Sequence, residues 1–131
     1  MNPLFTAHKH YGSLLLVLVL AVIIVALVKG PKPVFQRIVA VLVDINLVVG
    51  LIAVFQADAR NVSWFHPIFA LGAVGLLHAG AKSEDKAKVV RCFSIALVLL
   101  VAAWSVNASW GPDFFKSTLM FKVGATAPVA P

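Results

Sequence analysis

The chain has 131 residues, 61% of them hydrophobic and 12% charged, with a mean hydropathy of +0.98 and a formal net charge of +6. That balance lies outside the range of soluble domains and marks an integral membrane protein of one domain. The sole cysteine, Cys92, excludes an internal disulfide or a cysteine-based metal cluster and reads as a small apolar filler.

At about 20 residues per span the length holds about four transmembrane helices. The first apolar run, 11–28, is nearly unbroken (SLLLVLVLAVIIVALV), and the second, 34–55, is interrupted in its middle by Asp44, Asn46 and Gly50. A third spans 64–81, and a fourth, 89–106, follows the charged cluster KSEDKAK. Backbone amides in lipid must be paired within the chain, and uninterrupted apolar runs without period-two alternation exclude a barrel. The expected fold is therefore all-α, a four-helix up-down membrane bundle over 1–110. The segment 111–131 differs in kind. GPDFFKSTLMFK, with Pro112 near its start, reads as an interfacial helix, and GATAPVAP as a disordered tail.

Basic residues orient the bundle. Lys29, Lys32 and Arg37 flank the first loop, and Lys82, Lys86, Lys88 and Arg91 the third, while Lys9, Arg60, Lys116 and Lys122 are scattered on the other side. The positive-inside rule then places both loops in the cytoplasm and both termini outside, in a plasma (inner) membrane. Tyr11, Trp64, Trp104 and Trp110 fall at the outer ends, in keeping with an aromatic belt. The net charge is thus topology signal and predicts no nucleic-acid partner. The first helix is expected to be retained, since no cleavage-site pattern closes it.

Four histidines and one intramembrane carboxylate carry what chemistry the sequence offers. His8 and His10 are expected just before the first helix, and His66 within a turn of the outer end of the third. His78 lies about 18 Å deeper than His66 and about 120° around the helix, so the two serve different neighbours. His66 with His8 or His10 makes one bis-histidine site near the outer face, the way a b-type heme iron is held in a membrane bundle. Ala70, Gly72, Ala73 and Gly75 are expected to leave room for the macrocycle or for a close helix neighbour.

Asp44 lies within the second span, where an ionised carboxylate costs about 2.5–3.5 kcal/mol. It is either an interhelical hydrogen-bonder or part of a proton or cation relay. Asn46 is about 200° around from it and points elsewhere. By helix rise Asp44 lies about 9 Å deeper than His78, so direct contact between them requires staggered helices or a bridging water.

The order of features resembles a group of small four-helix bacterial membrane proteins labelled cytochrome b-like. The likeness rests on HKHYGSLL entering helix one, DINLVVGL in helix two, WFHPIFA opening helix three and LLHAG near its end, over roughly Leu4 to Trp104. It implies His8 or His10, His66 and His78 as possible ligands. A helix-two His-x-Gln pattern associated with the group reads Asp44-Ile45-Asn46 here, which removes a helix-two histidine ligand.

Two functions from different classes are compatible with these residues. One is a single-heme electron-transfer protein or redox subunit, working with a quinone or within a larger membrane complex. The other is a non-catalytic accessory or assembly subunit, with homo-oligomers open to it. A proton-coupled carrier using Asp44 and His78 is a third. In none of these is the chain expected to be an enzyme on its own.

Overall fold

The computed structural model describes residues 3–56, 60–106 and 120–123. Among them the chain forms α1 (Pro3–Lys29), α2 (Pro33–Gln56), β1 (Arg60–Ser63), α3 (Phe65–Ala81), α4 (Lys86–Val106) and β2 (Met120–Val123). The four helices fall where the apolar runs placed them. Three are long and apolar enough to cross a membrane, while α3, at 17 residues, is apolar but shorter.

Local chemistry sets the helix ends. Pro3 and Pro33 stand at first helical positions, where a fixed φ helps and the missing N–H is not needed. α1 ends against Gly30, whose φ of 89° is left-handed and whose N–H bonds the Ala26 carbonyl at 3.1 Å; Pro31 then prevents continuation. Pro67 lies in the first turn of α3, where no intrahelical donor is lost. Asp85 caps α4, its Oδ1 accepting the Ala87 N–H at 3.1 Å and its carbonyl accepting that of Val89 at 3.0 Å.

Three boundaries differ from expectation. α1 starts at Pro3, so His8 and His10 lie inside the helix and not before it. Hydropathy alone hid these turns, which mix apolar residues with Thr6, His8, Lys9 and His10 yet include no helix breaker from Leu4 to Tyr11. α4 starts three residues early, at Lys86, because the Asp85 cap makes Lys86-Ala87-Lys88 helical. Within the segment expected as an interfacial helix after Pro112, Met120–Val123 is a strand, paired antiparallel with β1 in the register Arg60↔Val123 to Ser63↔Met120, while 111–119 lie outside the described residues. The alternation of apolar and polar residues in Met120-Phe121-Lys122-Val123 is weak, and the pairing partner lies about sixty residues away, out of reach of local pattern. The expected tail, GATAPVAP, is outside the described residues.

α1 packs on α2 and α4, and α3 packs on α2 and α4, so α1 and α3 stand diagonally across the bundle. Val19, Val39, Leu77 and Phe93 fill its centre, with Cys92 buried beside them. The basic end is closed by Gln36, 1% exposed. Its Nε2 donates toward the carbonyls of Gly80, Ala81 and Ser83 at 3.2, 3.2 and 3.0 Å, and its Oε1 accepts the Lys32 N–H at 2.8 Å. One amide thus starts α2 and satisfies the carbonyls that end α3. Gln36→Leu keeps the volume and strands those groups, so it should cost about 1–3 kcal/mol. Thermal unfolding in detergent reads this, and an unchanged midpoint would show that water replaces the amide freely.

Candidate functional site: an imidazole pair across the bundle

His8 on α1 and His66 on α3 project from diagonal helices toward each other. Their ring centroids are 5.9 Å apart and their planes 78° from parallel. Each ring is held by a helix of the other diagonal. His8 Nδ1 lies 3.1 Å from the Asn46 carbonyl oxygen and 3.2 Å from its side-chain Oδ1, both on α2. His66 Nδ1 lies 2.7 Å from the Ala103 carbonyl oxygen on α4. A carbonyl can only accept, so each Nδ1 carries a proton and donates it, and in the neutral form of each ring the lone pair is on Nε2. Four helices therefore present two oriented imidazoles of the same tautomer at one level.

The seat for His8 is cut into α2. A Cβ built on Gly50 would lie 2.6 Å from His8 Cε1 and 2.9 Å from its Nδ1, so only glycine admits the ring in this position. Gly50 is four residues after Asn46, one turn on along the same face. Asn46 is itself buried.

The structure brings His8, and not His10, to His66. His10 is exposed, as its position about 200° around α1 from His8 requires. Gly72 and Gly75, expected to leave room beside His66, are exposed on the outside of α3, because steps of six and nine residues turn them away from its face. Ala70 and Ala73 do share that face, and Ala73 is fully buried. The holders of the rings were not found from sequence. Ala103 acts through a backbone carbonyl, which no side chain announces. Asn46 and Gly50 did carry a signal, as a polar residue and a glycine one turn apart in an apolar span.

Asp44 and His78 form a second polar feature, and they touch. His78 Nε2 is 2.7 Å from Asp44 Oδ2, with the side chains 49% and 36% exposed respectively. The difference in helix depth that argued for a bridging water is closed by side-chain direction. Side chains lean toward their own helix N-terminus, and α2 and α3 run antiparallel, so Asp44 and His78 lean toward each other. Asn46 faces the bundle interior and Asp44 the exterior, so the two belong to separate sites.

Compared with protein-family models, curated proteins and solved structures, the chain matches none.

Proposed function

We propose that this is a multi-pass membrane protein of the electron-transfer class, in which His8 and His66 would hold one b-type heme. The observation that carries the proposal is the converging imidazole pair with both Nδ1 groups anchored on carbonyls. Metal-ligating histidines ordinarily donate the other ring N–H to such an oxygen, which fixes the tautomer and raises the basicity of the ligating nitrogen. Among the described residues no group of three or more His, Cys, Asp or Glu could hold a metal ion. A bare ion wanting four protein ligands would be poorly served by them, whereas a heme would need only the two imidazoles. The group would supply one-electron chemistry at this end of the bundle. The chain's own part is to aim the two rings through Asn46 and Ala103, and to seat one of them on Gly50.

Membrane insertion is supported by the exterior. Apolar side chains face outward all along the helices, Val28 at 74% and Val98 at 67% exposure among them, an outer surface suited to lipid and not to water. The basic residues from Lys29 to Arg37 and from Lys82 to Arg91 gather at the end closed by Gln36, which supports a cytoplasmic position for that end. The histidine pair is then near the outer face. A reporter active only in the cytoplasm should work when inserted at Ser83 and fail when fused after Pro131. The reverse pattern would invert the map and move the pair to the cytoplasmic side.

A second reading rests on the same hydrogen bonds. His8 ties α1 to α2 and His66 ties α3 to α4, which is what interhelical polar contacts do in a non-catalytic accessory bundle. The visible spectrum of protein purified from heme-replete membranes separates the two: a Soret band that sharpens on reduction supports the first, and its absence supports the second.

A further inference from the structure

The Asp44–His78 pair is turned the wrong way for a purely structural contact. Interhelical polar pairs in a membrane bundle face inward, where the helices shield them. Here the inward position on this turn of α2 is taken by Asn46, and the carboxylate and imidazole look out from the seam between α2 and α3. With the helices crossing a membrane as proposed, a premise on which this second site rests, that seam faces hydrocarbon.

With Asp44 ionised, His78 Nε2–H donates to it, and the lone pair falls on Nδ1. A carboxylate behind an imidazole makes a base, because it orients the ring and stabilises the imidazolium that forms when the free nitrogen takes a proton. A proton donor dissolved in the membrane can reach a base placed there, in the last turn of α3. An anionic headgroup is disfavoured by the Asp44 charge.

The surroundings suit a flat ring with a long apolar tail. Gly75, one turn from His78 on the side toward which the imidazole leans, is exposed, and a Cβ built on it meets nothing within 4 Å. Beyond it Leu71 and Ile68 on α3, and Val48 and Leu51 on α2, are exposed at helical spacing and lead toward the outer leaflet.

We infer that the Asp44–His78 pair, at the lipid-facing seam of α2 and α3, binds the headgroup of a membrane hydroquinone, its hydroxyl donating to His78 Nδ1. When that O–H bond breaks heterolytically, the proton goes to Nδ1 and the bonding electron pair stays on the phenolic oxygen, with the Asp44 carboxylate stabilising the imidazolium. With the imidazole neutral beside the Asp44 carboxylate, Nδ1 is an acceptor and not a donor, so the hydroquinone binds better than the quinone, whose oxygens only accept.

The test is an anaerobic titration of the purified full-length protein in nanodiscs with decyl-benzohydroquinone and, separately, decyl-benzoquinone, followed by quenching of tryptophan fluorescence. The expected result is saturable hydroquinone binding, tighter than that of the quinone, and weakened about tenfold by His78→Ala, a change of about 1.4 kcal/mol. Asp44→Asn, which retains an acceptor for Nε2–H without the charge, should also weaken it and guards against misfolding of the first variant. Equal binding of the two redox forms, or hydroquinone binding indifferent to both substitutions, overturns the inference. So does efficient disulfide dimerisation of Ala79→Cys in membranes, which would show a second copy occupying the seam; native Cys92 is buried and does not interfere. No iron is needed for this titration, so its failure beside an intact heme spectrum rejects the hydroquinone site alone, and an absent heme spectrum beside a positive titration rejects the heme alone.

Discussion

His66→Ala and His8→Ala should each abolish the low-spin spectrum of the reconstituted protein, leaving either a high-spin, five-coordinate form or no bound heme. A heme held by two histidines depends on both, and among the described residues no other histidine faces inward at this level, since His10 points away and is exposed. His10→Ala should therefore leave the spectrum unchanged. His78→Ala should as well, because its imidazole engages Asp44 on the outside of the bundle. Comparing these four variants separates a ligand role from general damage, as all four remove an imidazole of the same size. Heme retained with unaltered spin state in His66→Ala would end the redox reading. His8 and His66 would then be the interhelical hydrogen-bonders of a non-catalytic bundle.

Sequence periodicity carried the helices and their order because each is an apolar run long enough to be recognised without its neighbours. It failed where the deciding interaction is non-local or not hydrophobic. The first turns of α1, which mix polar and apolar residues, are helical because nothing in Leu4 to Tyr11 breaks them, and a hydropathy window cannot report that. The β1–β2 pairing joins segments far apart in the chain, so Met120–Val123 looked like the amphipathic helix that its Phe and Lys suggested. The same division runs through the site. Depth and the 100° step singled out His66 and one of His8 and His10, and kept Asn46 apart from Asp44. Which of the two N-terminal histidines turns inward depends on the rotation of α1 within the bundle, a property of packing. The contact between Asp44 and His78 depends on the lean of side chains in antiparallel helices, which counting rise per residue ignores.

Gly50→Ala should damage the imidazole site without touching an imidazole. The added Cβ would lie 2.6 Å from His8 Cε1, 2.9 Å from Nδ1 and 3.1 Å from Nε2, closer than carbon or nitrogen atoms pack, so either the ring or α2 must move. The ring is the softer of the two, being the far end of a side chain on another helix. Moving it stretches the 3.1 Å hydrogen bond from Nδ1 to the Asn46 carbonyl and changes its approach to His66. The helix itself should not suffer, because alanine is favoured over glycine in a helix interior by about 0.8–1.0 kcal/mol. The expected outcome is thus a folded protein of undiminished thermal stability with heme content lost or shifted to high spin. Gly12→Ala is the matched control on the neighbouring helix α1. Its Cβ would meet only Asn46 Nδ2, at 3.4 Å, an ordinary contact, so both stability and spectrum should be retained. If Gly50→Ala kept a parent-like spectrum, His8 would not need its seat on α2, and the axial assignment would pass from His8 to another residue. If it instead unfolded the bundle, the contact would be a structural wedge between α1 and α2, favouring the accessory reading.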